Sequence, residues 1–109
     1  MMKKFIDLKD IILSNLEEIK AVDPIVMDVK KLGVFTDCII VVTGTSSRHI
    51  KSISSLIIRS LKDVGFNLLG VEGQESEDWV LLDMGDLVLH VMTDEARNFY
   101  DLEGLWDIA

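Results

Sequence analysis

The longest uninterrupted apolar run in the chain is Cys38-Ile39-Ile40-Val41-Val42, and four of its five residues are β-branched. Branched side chains are stiff and favour an extended backbone. A strand apolar at every position has both faces buried, so the run predicts an interior strand of a sheet covered on each side. A chain of 109 residues can bury one such core and not a second, so residues 1–109 are expected to form a single domain. Five apolar residues fall far short of the roughly 20 that a membrane-crossing helix needs. Cys38 is the only cysteine, which excludes an intrachain disulfide and a Cys-rich zinc site, so the fold must rest on packing.

The flanking sequence supplies partners for that strand. Phe5, Leu8, Ile12, Leu16 and Ile19 recur every three or four residues, one face of an amphipathic helix that should end before Asp23-Pro24, with Pro24 stopping it. Ile25 to Val29 reads as a half-buried strand, and Lys30 to Phe35 as a turn around Gly33. After Gly44, the hydroxyls of Thr45, Ser46 and Ser47 are candidate caps for a helix that carries Ile50, Ile53, Ile57, Leu61 and Val64 on its stripe and ends at Gly65. Phe66 to Val71 reads as a third strand, followed by the acid-rich loop Glu72 to Asp78. Trp79 to Asp83 and Asp86 to Met92 form a hairpin about Met84-Gly85. Thr93 then caps a last helix with Asp94 and Glu95 in its first turn and Phe99, Leu102 and Trp106 on its buried stripe. The order is α-β-β-α-β-β-β-α, an α/β (α+β) chain with three helices and a mixed five-stranded sheet. Its strand-helix-strand segment requires a parallel crossover, whereas its last hairpin is antiparallel.

The hairpin yields the sharpest expectation. Pairing Asp83 with Asp86 places Val80, Leu82, Leu87, Leu89 and Val91 on one face, a purely apolar set that belongs to the core. The other face then carries Trp79, Leu81, Asp83, Asp86, Val88, His90 and Met92. Such a mixture suits a surface that is either covered by a polar-edged helix or left open for a partner, since aromatic and Met anchors ringed by charge are typical of interfaces.

Charge divides along the chain. Residues 1–62 hold ten bases and seven acids, a net of +3, whereas residues 63–109 hold Arg97 against twelve acids, a net of −11. Nucleic-acid backbones are bound by Lys and Arg that displace counterions, so the acidic half is not expected to bind nucleic acid directly. The same acids would speed encounter with a basic protein surface, although as a solvated face they also simply keep the chain soluble. The start Met-Met-Lys-Lys-Phe runs into charged helical residues rather than an apolar leader, which predicts a soluble cytoplasmic protein.

The chemical motifs are weak taken singly. Val42-Thr43-Gly44-Thr45-Ser46-Ser47-Arg48-His49 is a strand, turn and helix start that could offer N–H groups to an anion, but it lacks both glycine-rich phosphate patterns, and capping explains its hydroxyls. Asp83 and Asp86 resemble a carboxylate pair for a divalent cation, yet Asp is equally common in hairpin turns for its local hydrogen bonds. His49 and His90 have no metal-ligand spacing, Cys38 lies in an apolar strand, and no nucleophile elbow supports a Ser/His/Asp triad. No metal and no cofactor are expected.

Several stretches together resemble the ribosomal silencing factors, also called Iojap-like proteins. They are Thr36-Asp37, Gly44 to His49, Val71-Glu72-Gly73, Trp79 to Asp86, His90-Val91-Met92 and Phe99 to Trp106, in order and over nearly all of the chain beyond the first helix. The resemblance implies a nucleotidyltransferase-like fold without established catalysis. It also implies binding to the large ribosomal subunit through its ribosomal protein fourteen, a block to small-subunit joining and lower translation when nutrients are short. Members are linked to large-subunit assembly as well, and often form homodimers when isolated. Carried over residue by residue, the partner-binding candidates are Trp79 and Met84 with Asp83 and Asp86 beside them, and the hairpin pattern adds Leu81 and His90. An assembly adaptor is the first alternative. The second is a nucleotidyl- or phosphoryl-transfer enzyme built on Gly44 to Ser47 with Asp83 and Asp86. Enzymes with that fold place an acidic pair soon after a Gly-Ser turn, whereas here Arg48-His49-Ile50-Lys51 follow and no acid comes until Asp63. That absence argues against an enzyme.

Overall fold

A computed structural model describes residues 7–105. The elements are α1 (Leu8–Glu18), β1 (Val22–Asp28), β2 (Cys38–Thr43), α2 (Ser47–Asp63), β3 (Gly70–Glu72), β4 (Trp79–Asp83), β5 (Leu87–Met92), α3 (Asp94–Tyr100) and α4 (Leu102–Leu105), with a 3-10 turn at Lys30–Leu32. The strands form one sheet in the order β1-β2-β5-β4-β3. β2 pairs with β5 in parallel and every other pairing is antiparallel. β2 and β3 therefore run the same way with β5 and β4 between them, the parallel crossover that the order demands. The apolar run of β2 is interior as expected, with Ile39, Ile40, Val41 and Val42 fully buried.

One side of the sheet is closed by α1 and α2. Ile12 and Leu16 of α1 and Ile50, Ile53, Ile57 and Leu61 of α2 meet Ile40, Val42, Val80, Leu82, Leu89 and Val91 in the main core. Ser46 is the cap of α2, its Oγ accepting the His49 N–H at 3.1 Å. His49 then ties the two helices together. Its Nδ1 accepts the Thr45 N–H at 2.9 Å, so its Nε2 carries the proton donated to the Ile19 carbonyl at 2.9 Å.

The other side has a smaller core. Val29, Ile39, Val41, Met92 and Ala96 pack there with Met27, Val34, Trp79 and Leu102 around them. α3 is only seven residues long and lies against β5, so the β4 and β3 end of this side is left partly open.

Several boundaries differ from expectation, each for a local reason. α1 ends at Glu18 because Lys20, at φ 60°, closes a Schellman motif, with the Ala21 N–H on the Leu16 carbonyl at 2.9 Å and the Lys20 N–H on that of Glu17 at 3.1 Å. Pro24 does not stop the helix; it sits inside β1, tolerated because β1 is an edge strand with an irregularity between Val22 and Ile25. β1 accordingly starts before Ile25 and leaves Val29 outside. β3 starts at Gly70 rather than Phe66, because the Phe66 N–H is spent on the Leu61 carbonyl in the motif that ends α2. Val64 caps that end and is exposed rather than buried in the stripe.

The hairpin is two residues out of the expected register. Asp83 pairs with Val88, Leu82 with Leu89 and Trp79 with Met92, and the turn is centred on Gly85-Asp86 rather than Met84-Gly85. Gly85, at φ 88°, takes the first central position, where positive φ is required and Met would be strained. β5 hence begins at Leu87. A slip of two residues preserves the side-chain faces, so the apolar and mixed sets survive the error.

The final helix is broken at Asp101, which adopts φ 49° and whose carboxylate accepts the Gly104 N–H at 3.2 Å, starting α4. Phe99, expected to be buried, is 80% exposed, because α3 turns Ala96 and Arg97 toward the sheet instead. Phe5 of the first stripe and Trp106 of the last lie outside the described residues.

Candidate functional site

The mixed sheet face is organised around Trp79. Its indole N–H donates to His90 Nδ1 at 3.0 Å on the neighbouring strand, and its ring lies 4.6 Å, centroid to centroid, from Tyr100 at the end of α3. Tyr100 in turn meets Phe99 edge-on at 5.0 Å. Three aromatic rings thus form a continuous patch running from the half-buried Trp79 out to Phe99. Accepting the indole proton fixes His90 as a neutral ring with its proton on Nε2. Burial also pushes the His90 pKa down to about 4, because charging the ring would strip it of water.

The loop before β4 fixes where Trp79 sits. Ser76 Oγ accepts the backbone N–H groups of Asp78 and Trp79, both at 3.2 Å, and donates to the Asp78 carboxylate at 2.8 Å. Gly73, at φ 81°, lies so close to the Trp79 carbonyl that an added Cβ would collide with it. A side chain there would shift the start of β4, and Trp79 with it.

The helix that carries Phe99 and Tyr100 also holds a buried cation. Arg97, 7% exposed, donates to Thr43 Oγ1 at 2.8 Å and to both carboxylate oxygens of Glu103 at 3.1 and 2.9 Å. This bidentate pair binds α3, α4 and β2 together and fixes the turn at Asp101 that swings Phe99 outward. Exposed acids neighbour these elements along the chain: Glu72 lies opposite Leu81 across β3 and β4, Glu77 and Asp78 precede Trp79, and Asp94 and Glu95 open α3.

The six candidate residues do not form one cluster. Trp79, Leu81 and Asp83 share the open face of β4 and are half-buried. His90 is on the same face but only 7% exposed, so it holds Trp79 rather than presenting its own surface. Met84 is 3% exposed and sits in the main core with Leu87, on the opposite side from Trp79. Its side chain therefore presents almost no surface of its own among the described residues. Asp83 and Asp86 lie at the far end of the hairpin, about 13 Å or more from Trp79 at the rise of an extended strand. There the Asp83 carboxylate accepts the Gly85 N–H at 2.9 Å. The Asp86 carbonyl accepts from Asp37 and Cys38 at 3.2 and 3.0 Å, while its side chain is exposed.

A family model described as ribosomal silencing factor during starvation matches residues 2–109. The chain belongs to the ribosomal silencing factor family. Its relatives include the ribosomal silencing factor of Chromobacterium violaceum, 40% identical over 100 residues that make up 92% of this chain and 82% of that one. The silencing factor of Haemophilus influenzae is 35% identical over 91% of this chain and 97% of its own length. A mouse protein named mitochondrial assembly of ribosomal large subunit protein 1 is 30% identical over 91% of this chain and 45% of its own. A crystal structure of a Chromobacterium violaceum protein superposes with a TM-score of 0.86 at 39% identity, covering 93% of this chain and 87% of that one.

The geometry also bears on phosphate chemistry in this chain. Gly44 to Ser47 stand at the end of β2 where the Gly44 N–H meets the Met92 carbonyl, while Asp83 and Asp86 stand at its start, where Cys38 meets Asp86. The length of β2 places the two about 16 Å apart, too far for one phosphate and its metal. The described residues contain no group of three His, Cys, Asp or Glu arranged to hold a metal ion. They also contain no helix long and apolar enough to cross a membrane.

Tyr100 and Arg97 are the residues that pattern reading passed over. Consecutive aromatics in a short helix cannot both face the core, so Phe99-Tyr100 carried a signal for an outward ring. A lone base among twelve acids in residues 63–109 likewise marks a cation with an assigned partner.

Proposed function

We propose that this silencing factor binds the large ribosomal subunit through its ribosomal protein fourteen, and that its bulk then blocks docking of the small subunit and lowers translation under nutrient limitation. The observation that supports this reading is the aromatic patch of Trp79, Tyr100 and Phe99. Trp79 is held there by its hydrogen bond to His90, exposed acids neighbour the patch along the chain, and among the described residues α3 leaves this part of the sheet only partly covered. A rigid aromatic centre with a charged margin is the composition of a protein-binding hot spot. The acids suit a basic partner and favour fast encounter. In this reading the chain acts in the cytoplasm by steric occlusion and has no catalytic role.

Sedimentation with separated ribosomal subunits, followed by remixing in magnesium, tests the proposal. Co-migration with the large subunit alone and fewer joined ribosomes is the expected result; migration with neither subunit overturns it. A second reading, an adaptor for large-subunit assembly, is favoured by the name of the mouse relative. Binding that leaves joining intact would select it. A homodimer of the free protein fits the same open face, and the concentration dependence of sedimentation in the parent and in Trp79→Ala checks whether that face is shared.

A further inference from the structure

α2 carries a feature that the aromatic face does not use. No Asp or Glu occurs between Asp37 and Asp63, although the chain holds 19 acids in 109 residues. Within that stretch Arg48, Lys51, Arg59 and Lys62 are all exposed. At 100° per residue they fall within about 80° of one another, on the side of α2 opposite the buried Ile50, Ile53, Ile57 and Leu61. They form two pairs about 16 Å apart along the helix axis. Between the pairs lie Ser52 and Ser55, also exposed, which line an open hollow of about 450 Å³ with Ser47, Arg48 and Lys51. A neighbouring hollow at Arg59 brings in Glu18, the acid that borders this face. The one ion pair among the described residues is Arg97 with Glu103, so none of these four cations is neutralised by a carboxylate there.

We infer that the outer face of α2 is a docking surface for an RNA phosphate backbone. Surface helices ordinarily set acids three or four residues from their bases; this one sets only Asp63, its last residue, four positions after Arg59 and not ion-paired with it. The face has no aromatic side chain and consists of Lys, Arg and Ser, which is the set that contacts phosphates. The centre of a protein interface is by contrast poor in Lys and Ser and rich in aromatics, as around Trp79. Four contacts along a rigid helix match the continuous charge of a nucleic-acid strand. The acids of residues 63–109 repel RNA from the rest of the molecule, so the encounter is steered toward α2. Because α2 covers the sheet face opposite Trp79, the chain would grip a protein with one side and RNA with the other. This inference deepens the ribosome-binding reading and rests on it for where the RNA is met.

Fluorescence anisotropy of the full chain with a labelled RNA single strand and an RNA duplex, each of about 20 nucleotides per strand, tests it directly between about 50 and 200 mM salt. Four phosphate contacts predict a log–log salt slope near −3, and thus about a 60-fold loss of affinity over that range. Arg48→Ala with Lys51→Ala, and Arg59→Ala with Lys62→Ala, should each halve the slope, and the fourfold variant should not bind. All four positions are exposed, so circular dichroism is expected to stay unchanged, and the two double variants keep the test intact should the fourfold variant unfold. Trp79→Ala should bind RNA as the parent does. That separates this inference from the protein contact, because ribosome binding can fail while RNA binding persists, and the reverse. A parent that binds neither RNA, or a fourfold variant that binds as the parent does, overturns the inference. Loss of self-association in the fourfold variant without RNA binding by the parent would overturn it in favour of a second copy whose acidic half covers α2.

Discussion

Adjacent residues of β4 meet opposite fates. Val80 and Leu82 point into the main core and are buried to 1% and 0% exposure, while Trp79, Leu81 and Asp83, one peptide away on either side, remain half-exposed. The difference lies in the cover rather than in the strand. The first face meets α1 and α2, of 11 and 17 residues, and the second meets α3, of 7. A face that the described residues leave partly open is where a partner gains most by closing it.

The comparison is broken most directly by truncating one neighbour on each face. Leu82→Ala removes a fully buried side chain and should lower stability by about 3 kcal/mol, whereas Leu81→Ala on the open face should cost less than about 1 kcal/mol. Urea unfolding with an unchanged m-value measures both. Equal losses would mean that the open face is as well packed as the core. The second test moves from stability to binding. Trp79→Ala should weaken binding to the large subunit by about 2 kcal/mol or more, roughly 30-fold, because central aromatic anchors carry such losses. Circular dichroism must show the variant folded, and unchanged affinity in a folded variant would remove Trp79 from the contact.

His90 sharpens the comparison through pH. Its folded pKa of about 4 lies below the unfolded value of 6.5, so the unfolded chain takes up the proton first as pH falls. Stability is complete above the unfolded pKa, declines as pH drops from 6.5 toward 4, and loses nothing further from this residue below that. At about pH 5 the loss is on the order of 2 kcal/mol relative to neutral pH. His90→Asn should lack this part of the slope in urea unfolding between about pH 7 and pH 5, and a variant as acid-sensitive as the parent would assign the slope elsewhere.

Periodicity made the element order legible because it reports which face of each segment is apolar, and that is a local property. It placed β2 inside the sheet, the stripe of α2 against it, and Trp79, Leu81 and Asp83 on one face even with the hairpin two residues out of register. What it could not supply were the backbone conformations that end elements without their usual residues. Lys20 and Asp101 adopt left-handed angles that favour glycine, so Pro24 looked like the stop of α1, and α3 looked like one long helix. The second of these errors displaced Phe99, since a continuous helix would have turned it inward. Met84 shows a different limit: a motif says nothing of burial, whereas the alternation of Met84 with Val80 and Leu82 puts it on the core face, where it lies. The His90 to Trp79 hydrogen bond and the buried Arg97 depend on residues 11 and 54 positions distant in sequence, beyond what any local pattern encodes.

The smallest effect expected is at the other end of the open face, where Asp83 and Asp86 combine structural and electrostatic roles. Asn in place of Asp83 keeps the side-chain oxygen that accepts the Gly85 N–H, and at Asp86 the strands are tied by the backbone carbonyl, which a side-chain change leaves alone. The double variant Asp83→Asn with Asp86→Asn therefore removes two charges with stability held within about 0.5 kcal/mol. Charges at the margin of an interface act mainly on the rate of encounter, so association with the large subunit should slow by about two- to fivefold at low salt and converge on the parent as salt rises. Stopped-flow association across a salt series measures this. A profile identical to the parent's would restrict the electrostatic contribution to the acids around Trp79 and leave Asp83 and Asp86 as turn residues alone.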